Sequence, residues 1–310
     1  MKILVLGSGA GGGYPQWNCN CPLCNGHRRG GVKASARTQS SIAVSVDGER
    51  WLLLNASPDI GHQLRSSPLL QPRTGLRDSP IRAVMLMDAQ IDHVAGLLSL
   101  REGPPIELYC TREVRDELTT GLRILPVLEH YCGVRWHPLP VVDAAGAREL
   151  TIEALPGLSI RAVAIPGKAP PYSPHRAQPS IGDNVAVLIE DTRSGRRAFY
   201  APGLASVGDL ETMWMQQADC VMVDGTFWTE DEMIVAGLGT KSASDMGHLP
   251  QAARLGRQGM IAALAPLKSR RKILIHINNS NPILDERGEQ RRVLEHHGIE
   301  VAHDGMEIEL

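Results

Sequence analysis

The chain has 310 residues, of which 43% are apolar, and a formal net charge of −2. That length and apolar content suit one large domain or two closely packed halves with a substantial core. The near-neutral charge offers no basic field to a nucleic acid, and no apolar run approaches the ~20 residues that a helix needs to span a bilayer.

The first strand pattern, Lys2–Leu6, runs directly into glycine. It is too short for a signal peptide, so the protein is expected to stay in the cytoplasm where it is made. Gly7-Ser8-Gly9-Ala10-Gly11-Gly12 matches G-x-G-x-x-G after a strand. A dinucleotide site needs a helix to start there, with its N-terminus facing the pyrophosphate. Gly13-Tyr14-Pro15-Gln16-Trp17 is no helix start, and no acidic residue closes a second strand about 20 residues on, as that fingerprint requires. The segment therefore reads as a glycine loop that lets backbone pack closely.

Of six cysteines, Cys110, Cys132 and Cys220 stand alone, whereas Cys19, Cys21 and Cys24 lie within six residues. Three thiols so close, stiffened by Pro22 and without an export signal, read as ligands of a structural zinc rather than as a disulfide framework. The alternative is three free buried thiols. The fourth ligand is either His27, which continues the spacing, or a distant side chain near Asn279.

Strand patterns follow at Ser41–Val46, Trp51–Asn55 and Ile81–Met87. The last leads into Asp88-Ala89-Gln90-Ile91-Asp92-His93 and then a helical pattern, His93–Arg101. Polar groups gathered at a strand's end before a helix sit where α/β proteins place chemistry, although an Asp-His pair there also serves as an ordinary helix cap. A helical pattern follows at Arg112–Leu122, and a Pro/Gly-rich stretch covers Gly167–Pro179. The second half carries strand patterns at Ile160–Ile165, Val185–Ile189, Arg197–Tyr200, Cys220–Val223 and Lys272–Ile277, with helical ones at Val207–Gln217, Pro250–Leu264 and Glu286–His297. Strands outnumber helices and cluster in each half. The expected fold is α/β, one domain over residues 1–310 built as an αββα sandwich of two facing mixed sheets with helices outside, with halves of roughly 1–155 and 156–310.

The segment from Asp88 to His93 is similar in position and context to the H-x-H-x-D-H signature of the metallo-β-lactamase superfamily. There the first two histidines serve one metal and the closing Asp-His serves a second. The resemblance implies that Asp88 and Gln90 replace the first pair while Asp92 and His93 are kept. It assigns Asp224, at the end of a strand, as the bridging carboxylate and His276 as the final histidine. Ile165-Pro166-Gly167-Lys168 lacks the further histidine of the first metal. Two histidines with one or two carboxylates would then form one open site, suited to zinc or to non-haem Fe(II) with free positions for O2 and substrate.

Several segments together resemble the PqqB family specifically. They include Pro15-Gln16-Trp17-Asn18-Cys19-Asn20-Cys21-Pro22, Arg37-Thr38-Gln39-Ser40-Ser41, Asn55-Ala56-Ser57-Pro58-Asp59, Lys168-Ala169-Pro170-Pro171-Tyr172, Asp224-Gly225-Thr226-Phe227-Trp228, Met246-Gly247-His248 and His276-Ile277-Asn278-Asn279-Ser280-Asn281-Pro282. That resemblance implies a role in making the redox cofactor pyrroloquinoline quinone (PQQ), by O2-dependent hydroxylation of the tyrosine-derived ring of a Glu–Tyr cross-linked intermediate. A carrier that moves PQQ or its precursor towards the periplasm is the alternative, and a phosphodiester or tRNA-processing hydrolase a distant third. The expected partners are the small-molecule precursor, other PQQ-biosynthesis proteins and a second copy in a homodimer, with no nucleic acid or membrane. The cysteine loop is similar to that of phosphodiesterases related to PhnP, in which a histidine stands where this chain has Asn279. His248 is expected either as an acid or proton shuttle or as a satisfied loop histidine. Arg37, Gln39, Ser40, Lys168 and Arg176 are candidates for a carboxylate-rich substrate, or solvated loop residues. Trp17 and Trp228 read as core residues, with a pocket wall as the other role.

Overall fold

The computed structural model describes residues 1–142, 148–253 and 258–310. Among the described residues, fifteen strands form two sheets. They are β1 (Lys2–Gly7), β2 (Ser41–Ser45), β3 (Trp51–Leu54), β4 (Ile81–Met85), β5 (Ile106–Cys110), β6 (Val134–Pro138), β7 (Val141–Val142), β8 (Glu149–Thr151), β9 (Leu158–Ala164), β10 (Val185–Asp191), β11 (Arg196–Ala201), β12 (Cys220–Asp224), β13 (Arg271–Ile275), β14 (Glu300–Val301) and β15 (Glu307–Glu309). The first sheet has the order β15-β1-β2-β3-β4-β5-β6, and the second β14-β13-β12-β11-β10-β9-β7, with β8 also on β9. Each is mixed: β1, β2 and β3 pair antiparallel and β3 to β6 parallel, while β9, β10 and β11 pair antiparallel and β11 to β14 parallel.

The apolar runs are nearly continuous because both faces of each sheet are covered. Ile3, Val5, Ile42, Val44, Leu52, Leu54 and Met85 face Val185, Val187, Ile189, Met222, Ile273 and Ile275 in one core between the sheets. Alternate residues fill two outer layers, with Leu4, Leu53, Val84 and Leu108 on one side and Leu188, Phe199, Val221 and Leu274 on the other. This is the αββα sandwich that the strand patterns predict.

The nine predicted strands all form, whereas the helices are cut shorter. His93–Arg101 becomes a helical turn at Ile91–Val94 and a 3₁₀ stretch at Ala95–Leu100. Its backbone bonds leave the helix axis, since Ala56 N donates to His93 O (2.7 Å) and Gly96 N to Ala56 O (2.9 Å). Only glycine fits at 96, where a Cβ would lie 2.0 Å from Ser57 O. Arg112–Leu122 splits into an α-turn at Arg112–Asp116 and a π-turn at Glu117–Gly121. Residues 254–257 of the Pro250–Leu264 pattern lie outside the described residues, and a helix follows at Met260–Leu264.

The division near residue 155 does not assign one half to one sheet. β7 and β8 pair with β9 of the second sheet, and β15 closes the first sheet beside β1. β8 and β15 are short and charged and β7 is two residues long, so no apolar run marks them.

Candidate metal centre

The site forms at the sheet edge where β4, β12 and β13 end. Alternation carries Cys220 and Met222 into the core between the sheets, and Asp224 follows them, fully buried. On β13, Ile275 lies in that core but Ile277 lies in the outer layer, so alternation breaks at His276, whose φ is +61°. A left-handed backbone costs a non-glycine residue of order 1 kcal/mol and clusters at functional sites. The bond from Ile277 N to Ser8 O, and that from Ala10 N to Ile277 O (both 2.9 Å), hold the turn. They bring the glycine loop over the site, where a Cβ on Gly11 would lie 3.4 Å from Asp92 Oδ2. Close backbone approach is what Gly7 and Gly13 supply, where a Cβ would lie 2.1 Å from Gln39 O and 2.7 Å from Arg37 O, as the sequence suggests.

Asp92, His93 and His276 each present a ligand atom within 4.8 Å of the others. His276 Nε2 lies 3.1 Å from Asp92 Oδ2, a normal spacing for two atoms that each bind one ion at ~2.0–2.2 Å. His93 Nε2 is buried and has no partner among the described residues. Its Nδ1 is held by the Asp88 carboxylate at 2.9 and 2.8 Å. Thr226 has one hydroxyl proton, directed at Asp224 Oδ1 (2.5 Å), so its oxygen accepts from His276 Nδ1 (2.8 Å). Each Nδ1 is thereby engaged and each Nε2 is left to bind an ion.

Burial alone would raise the Asp92 carboxyl, but His93 and His276 hold it well below the usual range. Burial would likewise lower His93, yet Asp88 and Asp92 push it up to about 9. A field that favours a proton on a buried imidazole equally favours a metal cation.

Asp224, expected as a ligand beside Asp92 and His93, forms with His248 and His276 a second group able to hold an ion, which shares His276 with the first. Its oxygens accept from Thr226 N (2.9 Å), Leu204 N (2.9 Å), the Thr226 hydroxyl and His248 Nδ1 (2.7 Å). It braces His276 through Thr226, a residue that sequence reasoning overlooked although it lies two positions beyond Asp224. His248 is half-buried and satisfied, with Nδ1 on Asp224 and its ring stacked on His276, centroids 5.4 Å apart. Replacing Thr226 with valine keeps the shape and removes the hydroxyl. Urea unfolding should then show a loss of about 1–3 kcal/mol, the penalty for stranding a buried polar group; unchanged stability would show that the hydroxyl is not the shared link.

Most of the other expected site residues are already engaged within the protein. Asp88 is bound to His93, and Gln90 Nε2 donates to Lys168 O (3.2 Å). Arg37 is buried and donates to Ser35 O (2.8 Å) and Ala302 O (3.3 Å). Gln39 clamps the glycine loop, accepting from Gly12 N (3.0 Å) and donating to Asp59 (2.9 Å). Ser40 is buried, its hydroxyl without a partner among the described residues. Lys168 donates to Asp245 O (2.6 Å) and Arg176 to Ala169 O, in a segment that also bonds Tyr172 to Ala89 O. Trp17 is 85% exposed and so no core residue, whereas Trp228 packs on the outer layer.

The three cysteine sulfurs lie within 4.8 Å of one another, all buried. Asn279 meets them, its Nδ2 at 3.1 Å from Cys19, 3.4 Å from Cys24 and 4.0 Å from Cys21. His27 is not in this group and packs edge-on against Tyr14, centroids 5.2 Å apart. Of the two fourth-ligand candidates, the structure therefore brings Asn279 to the thiols.

Among the described residues, no helix is long and apolar enough to cross a membrane. A family model described as Beta-lactamase superfamily domain matches residues 50–277. Coenzyme PQQ synthesis protein B of Nitrosococcus oceani is 54% identical, covering 99% of both chains, and that of Azoarcus sp. is 55% identical, covering 100% of both. The crystal structure of Zn(2+)-bound PqqB from Methylobacterium extorquens superposes with a TM-score of 0.88 at 41% identity, covering 100% of both chains. A diphosphatase of the PhnP family shares the fold, with a TM-score of 0.65 at 18% identity over 100% of this chain and 96% of that one. With near-complete coverage at more than half identity, and the superfamily's Asp-His and final histidine gathered at one point, the chain belongs to the coenzyme PQQ synthesis protein B family of the β-lactamase superfamily.

Proposed function

We propose that the protein acts in PQQ biosynthesis as an Fe(II)- and O2-dependent hydroxylase of the tyrosine-derived ring of a Glu–Tyr cross-linked intermediate. The observation that carries this reading is the grouping of Asp92, His93 and His276 with both Nδ1 atoms already engaged. Two imidazoles and one carboxylate on one side of an ion leave its other positions open, the arrangement used by non-haem iron oxygenases. Such an ion would supply O2 activation. In the hydroxylation one oxygen atom would replace a ring hydrogen as hydroxyl and the other would leave as water, with two electrons and two protons from an external reductant.

The chain's own residues hold the ligands and close the surroundings. Asp88 and Thr226 orient the imidazoles, and Gly11 lets backbone cover Asp92. Lys168 and Arg176, on the segment tied to Gln90 and Ala89, are the cations we assign to the substrate carboxylates. Zinc is assigned to the three thiols, where it stabilises rather than reacts. A dinuclear hydrolase is disfavoured because Asp88 and Gln90 are engaged elsewhere. The test is metal analysis of anaerobically purified protein followed by O2 uptake with the intermediate. One iron per chain and consumption of O2 with ring hydroxylation are expected. Tight binding of intermediate or PQQ with no O2 uptake would overturn the reading in favour of a carrier.

A further inference from the structure

We infer that Asp88 is a positioning residue for the metal site: its charge and geometry fix His93 as a ligand, although it touches no ion itself. This rests on the proposed assignment of Asp92, His93 and His276 as ligands. In the superfamily pattern the equivalent position serves a first metal. Here Asp88 belongs to no metal-capable group among the described residues. It is 5% exposed, and a carboxylate so buried requires a partner. His93 is the one side chain hydrogen-bonded to it among the described residues, with Nδ1 nearly equidistant from Oδ1 (2.9 Å) and Oδ2 (2.8 Å). The residue whose counterpart serves the first ion now serves a ligand of the second.

The physical consequence follows from the imidazole. A carboxylate on Nδ1 selects the tautomer whose proton sits there, which frees the Nε2 lone pair, and it makes that lone pair more basic. It also fixes the ring plane, so that Nε2 keeps its aim without help from the ion. His93 Nε2 is buried with no other partner among the described residues, as this requires.

A competing role has to be separated. Asp88 Oδ1 also accepts from Gln90 N (2.8 Å), an Asx-type turn that shapes the local chain. Asparagine makes that turn as well as aspartate does, but it lacks the charge. Asp88→Asn therefore tests charge at constant shape, and Asp88→Ala removes both.

The experiment measures Fe(II) affinity by anaerobic competition with a chromogenic chelator, and the His93 tautomer by 15N NMR of the Zn2+-loaded protein labelled at histidine. Affinity should fall roughly tenfold in Asp88→Asn and towards about a hundredfold in Asp88→Ala, the range found when the carboxylate behind a metal-bound histidine is lost. The Nδ1 proton signal should shift in the first variant and lose its fixed position in the second. Zinc held by the cysteines, unchanged in both, reports an intact fold; should Asp88→Ala fail to fold, the near-isosteric Asp88→Asn decides alone. Wild-type affinity in Asp88→Asn with an unaltered His93 signal would overturn the inference and leave only the turn. A wild-type protein that takes no ion at Asp92, His93 and His276 would overturn the ligand assignment as well, so the two failures are distinguishable.

Discussion

His93→Ala protein, purified without oxygen, should contain no iron at the Asp92–His276 site and should hydroxylate the intermediate at least about a hundredfold more slowly than wild type, since even losing the group behind a ligand costs up to that much. The expectation follows from the ligand count. Asp92 and His276 alone leave two donors, too few to outcompete water and buffer, and in the other metal-capable group, Asp224, His248 and His276, the Asp224 oxygens are already taken by Leu204 N, Thr226 and His248. His248 directs its Nδ1 at Asp224 and stacks on His276. The fold should persist, because His93 lies at the sheet edge rather than among the apolar residues between the sheets. Its loss strands the buried Asp88 carboxylate, which costs more than an unpaired neutral group, about 3–5 kcal/mol, and lowers the melting temperature. The cysteine-bound zinc should stay at one per chain. Wild-type hydroxylation by an iron-free His93→Ala protein would refute the mechanism and return the carrier reading to first place.

Cys21→Ser carries the second large effect, on stability. The three thiols and Asn279 join the N-terminal loop to a segment more than 250 residues away in sequence. Zinc contributes directly to the folding free energy of such a site, and a lost metal belongs among the most damaging changes, of order 3–5 kcal/mol. For a domain of this size, that lowers the melting temperature by roughly 6–15 °C. The effect should also reach the other site. Asn279 lies three residues beyond His276, and the loop ending at Cys19 begins beside Asp92 at Gly11. The variant should therefore bind iron more weakly as well as melt earlier. Unchanged zinc content measured by elemental analysis would show that the cluster had been misread.

Much of this was legible in the chain alone, and for a definable reason. Strands covered on both faces must be apolar throughout, so runs such as Trp51–Leu54 and Cys220–Asp224 announce themselves without an alignment. Spacing is local too, so Cys19, Cys21 and Cys24, and the adjacent Asp92 and His93, could be read as metal-capable groups, and the fold gathers them as such. Short charged edges such as Glu307–Glu309 carry no such signal, because a strand of that kind exists only by virtue of its partner β1. The same limit applies within the site. Residue identity marks Asp88, Asp224 and Arg37 as polar and reactive, but not which way they face. Tertiary structure turned Asp88 onto His93, Asp224 onto Thr226 and His248, and Arg37 onto backbone carbonyls. It also chose Asn279 over His27 at the thiols. Hydrogen bonds act over about 3 Å between groups that may be hundreds of residues apart, so only the packed chain decides which polar group each buried donor meets.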